Sequence, residues 1–113
     1  MTYYTGYGFV TFAQEAKEKL LKDIYKTLKA CKKINICVSQ KTMVESRRID
    51  FEYKGRYDEE ELYELLKSFT YDIIDGLISI DNSAGTYYKY EYNGAGWDIS
   101  KSELDYHLVG RIE

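Results

Sequence analysis

Side chains of the kinds that carry catalysis are sparse in this chain of 113 residues. His107 is the only histidine, which excludes a metal site built from two or three imidazoles. Gly6-Tyr7-Gly8 is too short for a phosphate-binding loop and lies in a predicted strand rather than before a helix N-terminus. The chain has no serine elbow, Walker loop or dinucleotide fingerprint. We therefore predict that the protein is not an enzyme and has no catalytic, cofactor-binding or metal-binding residues.

Cys31 and Cys37 are the only cysteines, and neither a second pair nor a histidine cluster accompanies them. This pattern indicates free thiols, as in the cytoplasm. The sequence lacks the run of about 18 apolar residues that spans a bilayer. The segment Met1–Tyr4 also lacks a basic region followed by an apolar run, so it is not a signal peptide. We expect a cytoplasmic protein with no membrane partner.

Residues 5–12 have the sequence TGYGFVTF. This segment resembles the octapeptide of RNA-recognition-motif domains at seven of its eight positions, and Thr5 stands where that family has a basic residue. The resemblance implies that Tyr7 and Phe9 stack nucleobases on an open sheet face, with RNA as the partner. In a permuted arrangement of that domain, the companion aromatic hexapeptide of the family corresponds to the strand near 49–54. The resemblance then implies that Asp50 and Glu52, which alternate with inward Ile49 and Phe51, lie on the open face beside the two rings, and carboxylates repel phosphate. RNA binding is therefore the alternative function.

A second aromatic group surrounds the hairpin signal Asn93-Gly94. Its members are Tyr87, Tyr88, Tyr90, Tyr92 and Trp97. Alternation predicts Tyr88, Tyr90 and Tyr92 on one face of a strand and Tyr87 on the other. One interpretation is a structural ladder of cross-strand pairs. The other is a protein-binding patch rimmed by carboxylates, because tyrosine and tryptophan dominate interface hot spots.

Charge is distributed unequally along the chain. Residues 1–56 carry 12 Lys+Arg and 6 Asp+Glu, whereas residues 57–113 carry 4 and 13, so the two halves have formal charges of +6 and −9. This asymmetry predicts a basic and an acidic exterior, or else a basic helix that faces an acidic one inside the fold. The candidate partner-binding residues are Glu59, Glu60, Glu64, Tyr87, Glu91, Trp97 and Asp98.

Hydrophobic periodicity predicts the first elements that position these residues. We expect a strand at 3–12, a helix at about 13–32 and two further strands within 34–39 and 49–54. Thr11 and Gln14 form a possible capping box for the helix. Residues 40–47 are predicted to be a polar connection.

A second helix is predicted from the capping box Asp58 and Glu61 to a left-handed cap at Gly76. Its apolar stripe is Leu62, Leu65, Leu66, Phe69 and Ile73. The rest of the chain indicates short strands at Leu77–Asp81, Thr86–Tyr92, Gly96–Ile99 and Leu104–Val109, with a turn at Ser100-Lys101-Ser102.

These elements predict a single α+β domain over residues 1–113, in which two helices pack on a mostly antiparallel sheet. The order β-α-β-β-α-β, which a ferredoxin-like fold has, is followed by a C-terminal β-meander. Consecutive hairpins with both helices on one face are the alternative.

We interpret the chain as a non-enzymatic interaction module whose acidic half occludes a basic surface of a host protein. Small phage and mobile-element inhibitors, including anti-CRISPR and other anti-defence proteins, are similar in size and composition. Besides RNA binding, a small-ligand site between sheet and meander is a further alternative.

Overall fold

The computed structural model describes residues 3–67, 73–82 and 85–103. The strands are β1 (Tyr4–Phe12), β2 (Ile34–Ile36), β3 (Arg48–Gly55), β4 (Ile73–Asn82), β5 (Thr86–Tyr92) and β6 (Trp97–Glu103). The helices are α1 (Glu18–Ala30), α2 (Gln40–Ser46) and α3 (Glu59–Lys67). None of these described helices has the length and apolar character needed to cross a membrane.

The six described strands form one open sheet in the order β2-β3-β1-β4-β5-β6, and every neighbouring pair is antiparallel. The predicted α+β class is confirmed. The chain does not follow the predicted β-α-β-β-α-β succession as written, because α2 stands between β2 and β3. β4, β5 and β6 are consecutive neighbours at one side of the sheet.

One hydrophobic core joins the sheet to the helices. The strands contribute Val10, Phe12, Ile34, Ile49, Phe51, Tyr53, Ile73, Ile78, Ile80 and Tyr90, and the helices contribute Leu21, Ile24, Leu28, Met43, Leu62 and Leu66. The side chains of successive strand residues point to opposite faces of a sheet. Because the core side chains of each strand point toward the helices, the residues between them point to the other face. The second sheet face therefore has no described helix over it.

The first helix begins at Glu18, not at residue 13, and the predicted Thr11–Gln14 capping box is wrong. Thr11 still belongs to β1, and the Phe12 N–H donates to the carbonyl of Arg47 over 2.8 Å. The N-cap residue is Lys17, which makes no side-chain capping hydrogen bond. Long-range pairing of the strand end overrides the local helix-start signal.

Helix α2 occupies the segment predicted to be a polar connection. The Ser39 hydroxyl accepts a hydrogen bond of 3.1 Å from the Thr42 N–H, which is N-cap geometry. Met43 is fully buried, and Arg47 ends the helix with a left-handed φ of 59°. A seven-residue helix that buries one side chain shows too little periodicity to be predicted.

The predicted start of the next helix is confirmed, since Asp58 Oδ1 accepts a hydrogen bond of 3.2 Å from the Glu61 N–H. Its predicted end at Gly76 is wrong, because Ile73 and Gly76 belong to β4. Phe69, assigned to the same helix stripe, lies outside the described residues. A Cβ atom on Gly76 would lie 2.5 Å from Cη2 of Trp97, so glycine leaves room for the indole ring.

The turn at Asn93-Gly94 is confirmed. The Asn93 side chain accepts hydrogen bonds of 2.9 Å from the N–H groups of Ala95 and Gly96, and Gly94 has a φ of 96°. The turn predicted at residues 100–102 is wrong, because these residues continue β6 opposite β5. The predicted strand Leu104–Val109, with His107, lies outside the described residues.

Candidate functional site

The sheet side turned away from the helices, here called the uncovered face, displays alternate residues of five strands. They are Thr5, Tyr7, Phe9 and Thr11 of β1, Arg48, Asp50, Glu52 and Lys54 of β3, Asp75, Leu77, Ser79 and Asp81 of β4, Tyr87, Lys89 and Glu91 of β5, and Asp98, Ser100 and Ser102 of β6. Strand pairing aligns these residues in rows across the sheet. One row reads Asp50, Phe9, Leu77, Glu91 and Asp98.

Aromatic and apolar side chains occupy the middle of the uncovered face. Tyr7 is 49% exposed, and Phe9, Leu77 and Tyr87 are half-buried. Phe9 and Leu77 are direct partners in the β1–β4 pair. The Tyr87 hydroxyl lies 3.1 Å from Ser79 Oγ, which links β5 to β4 through a side-chain hydrogen bond. The face therefore offers apolar contact area as well as polar groups.

A hydrogen-bonded chain of three side chains holds Tyr7 in place. The Tyr7 hydroxyl donates to Asp50 Oδ1 over 2.6 Å, and Arg48 Nη2 donates to the same oxygen over 3.0 Å. The hydrogen bond from Arg48 lowers the pKa of Asp50, while the hydrogen bond to Asp50 raises the pKa of Tyr7. Both shifts favour a charged carboxylate hydrogen-bonded to a neutral phenol, so the Tyr7 ring is held in one orientation.

Arg48 also covers one of the aromatic rings. Its guanidinium carbon lies 4.2 Å from the centroid of the Phe9 ring, in cation–π geometry. A nucleobase could stack on Phe9 only by displacing Arg48 from this position and from its ion pair with Asp50. The octapeptide resemblance assigns base stacking to the rings of Tyr7 and Phe9. The Tyr7 ring is exposed, whereas the Phe9 ring is already covered by Arg48.

Carboxylates outnumber cations on the uncovered face. The carboxylates are Asp50, Glu52, Asp75, Asp81, Glu91 and Asp98, and the cations are Arg48, Lys54 and Lys89. Glu91 lies directly opposite Asp98 in the β5–β6 pair. Like charges in this position are destabilising. The excess of negative charge gives the uncovered face a potential that attracts cationic groups.

The structure brings some of the candidate partner-binding residues together and separates others. Tyr87, Glu91 and Asp98 share the uncovered face with Tyr7 and Phe9. The acidic candidates Glu59, Glu60 and Glu64 belong to α3, on the opposite, helix-bearing side. Trp97 also points to that side, where its ring packs edge-on against Tyr92 at a centroid distance of 5.6 Å.

The remaining tyrosines of the ladder are part of the packing. Tyr90 is fully buried, and its hydroxyl is hydrogen-bonded to the hydroxyl of Tyr57. The rings of Tyr57 and Tyr88 stack at 4.3 Å, and Tyr4 lies 5.2 Å from Tyr57. These contacts favour the structural interpretation for Tyr88, Tyr90 and Tyr92.

Opposite charges do not neutralise each other widely across the interior. Among the described residues, the ion pair between Lys33 and Glu61, at 3.1 Å, is the one that joins the basic half of the chain to the acidic half. Lys22 pairs with Glu18 within α1. The other lysines of α1, namely Lys19, Lys26 and Lys29, are exposed. In the described structure the basic exterior of α1 therefore lies on the side of the sheet opposite the acidic uncovered face, and it shares that side with the acidic helix α3.

Sequence reasoning missed Arg48 and Leu77 as members of this site. Arg48 is two residues from Asp50 on a strand, so alternation predicts that the two share a face. The position of Leu77 opposite Phe9 carries no local signal, because it depends on the pairing of β1 with β4.

Within the described ranges, no group of three His, Cys, Asp or Glu side chains is arranged to hold a metal ion. Comparisons with protein-family models, with curated proteins and with solved structures find no match. The fold and the uncovered face define an α+β domain that has an acidic, partly aromatic sheet face with no described helix over it.

Proposed function

We propose that this chain is a protein-binding module that docks its uncovered face on a basic surface of another protein. One observation carries the proposal: a sheet face without a described helix over it combines half-exposed aromatic side chains with more carboxylates than cations. Such a face can act as an inhibitor by covering the basic surface it binds. The assignment to anti-defence inhibitors of phages or mobile elements, of the anti-CRISPR type, is a finer part of the same proposal.

The aromatic and the charged residues have different roles in this proposal. Tyr7 and Tyr87 supply the anchors, because tyrosine is enriched among the residues that contribute most to the affinity of protein interfaces, and Leu77 adds apolar contact area beside them. The carboxylates speed association with a cationic partner and disfavour acidic ones. Asp50 and Arg48 hold Tyr7 in one orientation before binding, which reduces the entropy lost on association.

RNA is the second candidate partner, and the exposure of Tyr7 is the observation that favours it. Two observations favour protein instead. Phosphate neutralisation supplies a large share of nucleic-acid affinity, and this face carries more carboxylates than cations. The ring of Phe9, which the resemblance assigns to stacking, is already occupied by Arg48.

We also infer that β1-α1-β2 and β3-α3-β4 are the two halves of a split βαβ plan of the ferredoxin-like type, with α2 as an insertion and β5-β6 as an extension. Helices on one side of the sheet are the consequence of that plan. The other side then remains for binding.

Affinity capture with two charge reversals tests the proposal. Glu91→Lys changes the uncovered face, and Glu64→Lys makes the same change in net charge on the exposed side of α3. Each protein is immobilised and exposed to a lysate of cells that carry the sequence, and bound proteins are quantified by mass spectrometry. We expect a stoichiometric partner with a basic surface that Glu64→Lys retains and that Glu91→Lys binds about tenfold more weakly.

Three results would contradict the proposal. Failure to recover any stoichiometric protein removes it. Loss of the partner in Glu64→Lys alone places binding on α3 instead. Salt-sensitive binding of single-stranded RNA that Tyr7→Ala abolishes would establish the second candidate in its place.

A further inference from the structure

A shallow depression of about 460 Å³ lies on the uncovered face, near the start of β1. Glu52 and Lys54 of β3 line one side and Ser79 and Asp81 of β4 line the other, while Thr5 and Tyr7 of β1 lie between them. Glu52 is the direct partner of Tyr7 on β3, and Asp81 is the direct partner of Thr5 on β4. The depression therefore spans three neighbouring strands of the described sheet, β3, β1 and β4.

The tether on Tyr7 explains why space is open at this point. The strand partner of Tyr7 is Glu52, but its hydroxyl reaches Asp50, which pairs with Phe9. The ring must lean along the sheet toward Phe9 and away from Thr5. Because the Thr5 side chain is short, an opening remains at this position, and the leaning Tyr7 ring forms one side of it. Asp50 thus acts as a positioning residue for the depression.

The carboxylates of the depression are available to a ligand. Glu52 and Asp81 are exposed, and neither forms an ion pair with another described residue. They belong to β3 and β4, which flank β1, so their strands are about 10 Å apart. Among the described residues, Lys54 is the single cation that lines the depression, so the three charged side chains Glu52, Asp81 and Lys54 give it a formal charge of −1.

We propose that this depression receives an arginine side chain from the basic surface of the partner, an inference that rests on the proposed function. A guanidinium group is planar and has five N–H donors, so it can lie against the Tyr7 ring while it donates to Glu52 and Asp81 on either side. Lysine offers a compact charge that cannot make the stacked and the forked contacts together. The depression is the point at which the uncovered face selects arginine over lysine.

A titration with small probes, followed by NMR of the backbone amides, tests the inference. The probes are end-blocked Gly-Arg-Gly, Gly-Lys-Gly and Gly-citrulline-Gly, the last of which keeps the shape of arginine without its charge. We expect the arginine peptide to shift the amides of Tyr7, Glu52 and Asp81 and to bind more tightly than the other two. Glu52→Gln and Asp81→Asn should each weaken its binding by about threefold, as for an exposed ion pair.

The variant Lys54→Gln tests whether the depression recognises a positive charge. We expect it to tighten binding of the arginine peptide by about twofold, because it removes a competing cation. Glu60→Gln, an exposed carboxylate of α3, is the matched control and should leave binding unchanged. Equal binding of the citrulline and arginine peptides, or weaker binding in Lys54→Gln, would overturn the inference.

The inference and the proposed function fail in different ways. If a captured partner is lost in Glu91→Lys but still binds the double variant Glu52→Gln, Asp81→Asn, the result supports the docking face and contradicts the arginine site. If no partner is captured but the arginine peptide still binds selectively, the result contradicts the proposed function and supports the arginine site.

Discussion

Glu91 lies directly opposite Asp98 in the β5–β6 pair, so two carboxylates face each other on the outer side of the sheet. Asp98 Oδ1 accepts a hydrogen bond of 3.0 Å from Asn93 Nδ2, which holds that carboxylate at the hairpin end. Facing carboxylates lower the stability of a strand pair. They also concentrate negative charge where the domain has no described helix over it, which is the property that a basic partner requires.

Glu91→Lys should therefore stabilise the isolated domain while it weakens binding. The substitution replaces repulsion with a cross-strand ion pair to Asp98, and we expect the free energy of unfolding to rise by about 0.2–1 kcal/mol. Urea unfolding followed by circular dichroism measures the change. Glu64→Lys on α3 is the control for net charge. A less stable Glu91→Lys protein would show that its binding defect reports misfolding and not the face.

The Asp50 carboxyl makes stability sensitive to acid. Hydrogen bonding to Arg48, and then to Tyr7, lowers its pKa below the ordinary 3.8. A carboxyl with a lowered folded-state pKa contributes stability that is present above the unfolded value and is lost as the pH falls through the folded value. We expect unfolding free energies measured between about pH 5 and pH 2 to fall less steeply in Asp50→Asn. Glu45→Gln on α2 is the control. An Asp50 pKa above 3.8, measured as the midpoint of its titration by NMR, would refute the prediction.

Gly76 is required by the tryptophan ring that packs over it. In Gly76→Ala the new methyl group would lie 2.5 Å from Trp97 Cη2, so the indole must move. We expect a loss of about 1–3 kcal/mol in stability, as for overpacking. Trp97 is the only tryptophan, so its fluorescence reports the displacement directly. Gly96→Ala, whose methyl group would meet nothing within 4 Å, should change neither quantity.

Ser39 should be the residue that starts α2. Ser39→Ala removes the acceptor for the Thr42 N–H, and loss of such a cap costs about 1 kcal/mol. Thermal unfolding measures this loss, and faster hydrogen exchange at the Thr42 amide locates it. The control is Ser102→Ala, at an exposed position of β6. Equal effects of the two substitutions would contradict the capping role.

Local patterns predicted those elements whose signals lie within a few residues. The alternation of Ile49, Phe51 and Tyr53 matches their burial in β3, and the predicted bounds Thr86–Tyr92 are those of β5. The Asp58 cap and the Asn93-Gly94 turn are likewise local chemistry. Errors arose where a distant contact decided the outcome. Gly76 has the sequence context of a helix stop, but it lies in a strand beneath Trp97, whose position depends on the pairing of β4, β5 and β6.

The sequence by itself determined which side chains of a strand share a face, because alternation is a property of the extended backbone. It also determined the separation of basic and acidic residues between the two halves of the chain. Only the tertiary structure decided which strands are neighbours, and so which side chains meet: Tyr7 with Asp50, Phe9 with Leu77 and Glu91 with Asp98. It also decided which face of the sheet the helices cover. The strand order and the position of the helices both depend on core burial and on hydrogen bonds between distant segments, so no single segment determines them.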